Sequence, residues 1–126
     1  MSAPSAPIGV FDSGIGGLST LLALCRELPD ERFVYLADSA HAPYGERGDA
    51  FVQKRSLAVA EHLMASHHIK ALVVACNTAT TAAIDGLRQR LAALPIVGME
   101  PALKPAASHS RTRRVGVMAT RGTLAS

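Results

Sequence analysis

"IKALVVACNTATTAAI", residues 69–84, decides how this chain is read. Its first half, from Ile69 to Ala75, is apolar without alternation. That is the pattern of a strand buried on both faces in the middle of a parallel sheet. Its second half passes into a helical repeat in which Ile84, Leu87, Leu91 and Leu94 share one side. Asn77 or Thr78 can cap that helix. Cys76 falls at the seam, after the strand and just before the helix. A buried cysteine is usually a small hydrophobe. At a helix N-terminus, however, the dipole favours thiolate and is expected to lower the pKa. A thiolate there can serve as base or nucleophile.

The same strand-then-helix unit repeats on either side. "IGVF" (8–11) predicts a first strand that runs into the Gly-rich turn "DSGIGG". Leu18, Leu21, Leu22, Cys25 and Leu28 then recur at helical spacing and predict a buried helix face that Pro29 ends. "RFVYLAD" (32–38) predicts a second strand and "SAHAPYGERG" (39–48) a loop. Asp49 is a plausible N-cap for a long helix to His67 whose inward face carries Val52, Ser56, Val59 and Leu63. "PIVGM" (95–99) predicts a fourth strand and "RRVGVMA" (113–119) a fifth. A short helix interrupted by Pro105 lies between them, and "RGTLAS" begins another. The expected fold class is α/β: a doubly wound, mostly parallel sheet with helices on both faces.

Composition narrows the function classes. The 126 residues suit one domain with a modest core, and the 48% hydrophobic content with no tryptophan puts that core on Ala, Leu, Val and Ile. The net charge of +3 is a small excess. Its densest cluster, Arg111, Arg113 and Arg114, has no aromatic residues between the arginines and reads as a solvated turn, so no nucleic-acid partner is expected. Two cysteines make no disulfide framework. The leader "MSAPSAP" has no apolar centre, and no run of about 20 apolar residues predicts a membrane span. A reducing cytoplasm is the expected compartment. The five histidines show no metal-ligand spacing, and no metal is expected.

In open α/β sheets ligands bind beyond the carboxyl ends of the strands. Those ends carry Asp12-Ser13-Gly14, then Asp38 with "APYGERG", then Cys76-Asn77-Thr78, then Glu100-Pro101, then Thr120 with Gly122 and Thr123. Polar, hydroxyl and thiol groups therefore gather at one edge of an aliphatic sheet. "DSGIGGLS" lacks the Lys of a Walker loop and the third Gly of a dinucleotide fingerprint. It is either a tight turn or a cradle for a small anion such as a carboxylate. Asp12 is either a helix cap or a carboxylate able to orient a cation or assist proton transfer.

"IGVFDSGIGGLS", "LADSAHAPYGERG" and "ALVVACNTATTAAI", in this order, resemble the cofactor-independent glutamate racemases, and "GMEPALKPA" and "VGVMATRGT" resemble that family's next two segments. The resemblance implies interconversion of L- and D-glutamate for bacterial peptidoglycan, with no cofactor and no metal. Two cysteines on opposite sides of the substrate α-carbon move the proton. It places the first of them on Cys76 and a role in proton transfer on Asp12. Substrate contacts fall on Asp12, Ser13, Tyr44, Gly45, Asn77, Thr78 and Thr120. It also implies two α/β lobes in a chain about twice this length, with residues 1–98 forming the first lobe and 99–126 beginning the second. The family's second cysteine, in "CTH", has no counterpart here, and Cys25 is expected to point into the core. The chain alone is therefore expected to be inactive or nearly so. The expected partner is glutamate, with a homodimer left open, and no membrane. A racemase of aspartate or a related amino acid, and a non-catalytic module for small anions, are the alternatives.

Overall fold

The computed structural model describes residues 3–125. Four strands, β1 (Ile8–Asp12), β2 (Phe33–Ala37), β3 (Ala71–Val74) and β4 (Ile96–Gly98), form one parallel sheet in the order β2-β1-β3-β4. The register runs from Ile8↔Phe33 to Asp12↔Ala37 on one side of β1, and from Ile8↔Ala71 to Phe11↔Val74 on the other. Both central strands thus end level, and their carboxyl ends carry Asp12 and Cys76. Parallel strands need crossovers, and three helices supply them: α1 (Leu18–Glu27), α2 (Asp49–His67) and α3 (Asn77–Arg90). Right-handed crossovers place α2 and α3 on one face of the sheet and α1 on the other. A short α4 (Leu103–His109) and α5 (Arg121–Leu124) follow β4.

The core lies on the α2/α3 face. Strand alternation turns Phe11, Leu72 and Val74 toward Val52, Val59, Ala60 and Leu63 of α2 and Ala79, Ala83 and Leu87 of α3. The expected inward stripe of α2, Val52, Ser56, Val59 and Leu63, is buried throughout. Burying a Leu or Val side chain contributes about 1.5–3 kcal/mol, so this face carries most of the stability.

The other face is different, and here the sequence-based expectation fails. No residue of α1 is buried. Leu18, Leu22 and Leu28 stand 42–53% exposed, and Cys25 is exposed. The periodicity correctly shows that α1 has an apolar face, but the described residues cover it only in part: Leu21 and Leu24 are half-buried, while Leu18, Leu22 and Cys25 are left open. Cys25 does not point into the core. Val97 of β4, on the same side of the sheet, is exposed as well.

The expected fifth strand is also absent: residues 113–119 form no strand, and Val115, Val117 and Met118 are exposed. Alternation supplies the side chains of a strand, but the ladder needs a neighbouring edge, and this segment meets none among the described residues. Pro105 does not interrupt α4. It is the third helical residue, where its missing N–H is one of those that no helix satisfies internally. The cap of α2 is Gly48, with Asp49 inside the first turn, where a carboxylate favours the helix dipole.

Gly86 stands in the interior of α3, and a Cβ built on it meets nothing within 4 Å. Glycine in a helix interior costs about 0.5–1 kcal/mol relative to alanine. Gly86→Ala is therefore expected to stabilise the protein by that amount, read as a rise of a few degrees in the midpoint of thermal unfolding.

Candidate active site

The strand order reverses between β1 and β3, because α1 leaves to one face and α3 to the other. At this switch point a crevice opens beyond the carboxyl ends. A cleft of about 500 Å³ occupies it. Asp12, Ser13, Tyr44, Gly45, Cys76, Asn77, Thr78 and Thr120 all line it. The structure thus brings together all eight residues that the resemblance implies for the site, although they come from four separate segments, whereas Asp38, Glu100 and Pro101 at the other strand ends do not line this cleft.

Cys76 is the N-cap of α3, in place of Asn77 or Thr78 as expected: its Sγ accepts a hydrogen bond from the Ala79 N–H at 3.4 Å. The strand therefore hands its last side chain directly to the helix N-terminus. The Cys76 thiol also donates to Ser13 Oγ at 3.8 Å. The expectation of a lowered pKa is overturned. Burial pushes the thiol up, and the Asp12 carboxylate adds to that; the Ala79 N–H and the Ser13 hydroxyl and backbone oppose it without prevailing. The helix start does favour thiolate, but its N–H···S contact is outweighed by the desolvation of a residue only 7% exposed.

Asp12 realises the cap-like reading and keeps its place in the cleft. Its Oδ2 accepts from the Gly17 N–H at 2.9 Å and the Gly14 N–H at 3.3 Å. This ties the Gly-rich turn to the strand end. Gly17 is required there by close approach: a Cβ would lie 2.8 Å from the Asp12 Cβ and 2.9 Å from the Tyr35 hydroxyl. That hydroxyl donates to the Gly14 carbonyl at 2.7 Å, fixing the turn from the β2 side.

Tyr44 and Gly45 reach the cleft from the loop before α2. Tyr44 is buried, and its hydroxyl is engaged, donating to Asp38 Oδ2. Burial and the Asp38 carboxylate together push the phenol well above its usual range. Gly45 also packs closely on Thr120: a Cβ there would lie 2.6 Å from the Thr120 Cγ2. Thr120 in turn shares a hydrogen bond with Thr78 Oγ1 at 2.7 Å and caps α5 by accepting from the Thr123 N–H at 3.4 Å. These contacts draw the segment after residue 117 over the start of α3.

One cluster escaped the sequence reading. Asp38 is buried at the end of β2, and Arg55 of α2 grips it with two hydrogen bonds of 2.9 and 2.8 Å. His41 Nδ1 lies 3.1 Å away. Burial alone would push the Asp38 carboxyl up, but the hydrogen bonds from Arg55, Tyr44 and His41 outweigh it and hold the group at about 2. A signal was present: Arg55 borders the inward stripe of α2 with no acid three or four residues away. Its counter-charge had to come from elsewhere in the fold.

The cleft contains hydroxyl, amide, carboxylate and thiol groups, and no cluster suited to a metal occurs among the described residues. No helix among them is long and apolar enough to cross a membrane. The comparison with known proteins agrees with this architecture. Over all 126 residues the chain is 55% identical to the glutamate racemase of Ectopseudomonas mendocina and 51% identical to that of Pseudomonas aeruginosa, covering 48% and 47% of those proteins. It superposes on the glutamate racemase of Escherichia coli, solved with L-glutamate and the activator UDP-MurNAc-Ala, with a TM-score of 0.88 at 39% identity. That match covers 96% of this chain and 46% of the other. On the enzyme of Thermus thermophilus, solved with β-chloro-D-alanine, it superposes with a TM-score of 0.82 at 44% identity, over 97% of this chain and 46% of the other. The chain therefore spans about half the length of the relatives it matches. The Asp/Glu/hydantoin racemase family matches residues 11–126, nearly everything from β1 onward, and the chain belongs to that family.

Proposed function

We propose that this chain supplies the Cys76 half of a glutamate racemase. The observation that carries the reading is the cleft itself: a buried thiol at the switch point, lining one cavity together with the seven other residues expected of the site. The high identity to glutamate racemases over the whole chain supports glutamate as substrate. Residues 1–98 form the first lobe in this reading, and residues 99–126 begin a second.

The reaction is a proton transfer in each direction. Cys76 Sγ, as thiolate, takes the α-proton: the Cα–H bond breaks, an S–H bond forms, and a second thiol delivers a proton to the opposite face. Cys25 cannot be that second thiol. It lies two turns along α1, about 10 Å from the helix start that borders the cleft. In this reading the second thiol comes from a second half like that of the longer relatives. Asn77 and Thr78 at the start of α3 donate to the substrate α-carboxylate, with the helix dipole behind them. Asp12 and Ser13 accept from the ammonium. That ammonium also offsets the burial that raises the Cys76 pKa, so substrate binding itself favours the thiolate. No electron sink assists, and the carbanion is stabilised by positioning and by fixed dipoles. In the cell the product D-glutamate serves peptidoglycan synthesis in the cytoplasm.

The experiment joins residues 1–126 to the second half of the Ectopseudomonas mendocina relative and follows glutamate by polarimetry and by NMR in D₂O. The fusion is expected to racemise glutamate, and the chain alone is expected to show little or no racemisation. Aspartate and other amino acids run in parallel decide the substrate. A fusion that is folded yet inert toward glutamate while turning over aspartate assigns the other member of the family's substrate class.

A further inference from the structure

A second cavity lies on the opposite surface of the core helices, away from the cleft. It is a groove of about 470 Å³ between the first half of α2 and the second half of α3. That volume falls within the range of small-molecule sites. Leu57, Ala83 and Leu87 form its apolar floor, and Lys54 and Arg90 stand on its rim with the amides of Gln53 and Gln89. Gln53 is anchored by donating to the Ala82 carbonyl at 2.9 Å.

Three features set this groove apart from an ordinary crevice between helices. Its only charged lining residues are cations, and no carboxylate lines it. The ion pairs of the described residues engage Arg55, Lys70 and His41, leaving Lys54 and Arg90 without a counter-charge. Finally, Gly86 opens the groove at a position where no neighbour demands a glycine, and where glycine weakens the helix.

We propose that this groove binds a small amphiphilic organic anion, its apolar body over Leu57, Ala83 and Leu87 and its anionic group between Lys54 and Arg90. The apolar floor gives affinity through burial, and the two cations select the sign of the charge. Neutral isosteres lose that selection, and amphiphilic cations are repelled. The site is separate from the Cys76 cleft and does not depend on the racemase reading.

The test titrates octanoate, octanamide and octylammonium into the isotopically labelled 126-residue protein and follows its amide NMR signals. Octanoate is expected to shift Gln53, Lys54, Gly86 and Arg90 saturably, with a Kd on the order of 1 mM, and octanamide to bind about fivefold more weakly. The double variant Lys54→Glu/Arg90→Glu, altered only at exposed positions, should lose octanoate and gain octylammonium. Gly86→Leu should exclude both by filling the groove. Equal binding of octanoate and octanamide overturns the proposal. So do shifts that gather on α1 and Val97 instead of the groove, or charge reversal without effect. Uptake of an acidic amphipathic peptide where octanoate gives no saturable shift likewise overturns the assignment to a small ligand.

Discussion

Cys76→Ser in the full-length fusion lowers glutamate racemisation by about a thousandfold or more, while the protein melts within a few degrees of its parent. The two halves of that expectation separate catalysis from structure. As N-cap of α3, Cys76 accepts from the Ala79 N–H, and serine is at least as good a cap. As base, serine fails, because its hydroxyl does not ionise in the accessible pH range, and general-base catalysis contributes about 10²–10⁴-fold. Cys76→Ala loses both roles, with an added cap cost of about 1 kcal/mol. The raised thiol pKa fixes the pH profile as well. The thiolate form of the free protein grows as pH rises, so kcat/KM climbs through and beyond the usual thiol value near ~8.5. The kcat limb lies lower, since the substrate ammonium is then in place. A serine variant retaining more than a tenth of the activity would sink the assignment of Cys76 as base.

Asp38→Asn is expected to be the most damaging change away from the thiol. It leaves Arg55 gripping a neutral group in a buried site and turns a donor toward other donors. Removing one partner of a buried pair costs on the order of 3 kcal/mol, which for a chain of this size lowers the melting midpoint by about 10 °C. The sign of the acid dependence follows from the depressed carboxyl. Its folded value of about 2 lies below the ordinary value of ~3.9. The stabilisation is fully present above pH ~4 and is lost as pH falls from there through 2. Melting curves of the two proteins should therefore converge between pH 4 and 2. A gap that stays constant over that window would show that the Asp38 charge does not stabilise the fold. The same variant loosens the anchor that holds Tyr44, a residue lining the cleft, so KM in the fusion should rise more than kcat falls.

The order of elements was legible because each β-branched run and each helical stripe is a local pattern. So was the gathering of Asp12, Ser13, Cys76 and Thr78, since strand ends in a parallel sheet share an edge. What local pattern cannot carry is the presence of a neighbour. Leu18, Leu22 and Cys25 read as buried because periodicity records that a face is apolar, not that something lies upon it. Val115 and Val117 read as strand because alternation survives without a ladder. Sequence puts the Cys76 thiol on the acidic side of its ordinary value because the helix start is visible there, whereas desolvation depends on burial that only the fold creates. The Asp38 cluster needed a contact between residues 38 and 55 that no spacing rule encodes.

The bare face of α1 reaches further than its own leucines. A helix with no buried residue opens at small free-energy cost, far below that of the α2/α3 core, and its amides should be among the first to exchange with solvent. Gly17, whose N–H is held by Asp12, is the residue at which α1 begins. The turn that Asp12 ties down is therefore also the anchor from which α1 starts. Any surface that settles on α1 thus also steadies the Gly-rich turn whose N–H groups Asp12 holds, on the far side of the sheet from the helices that build the core.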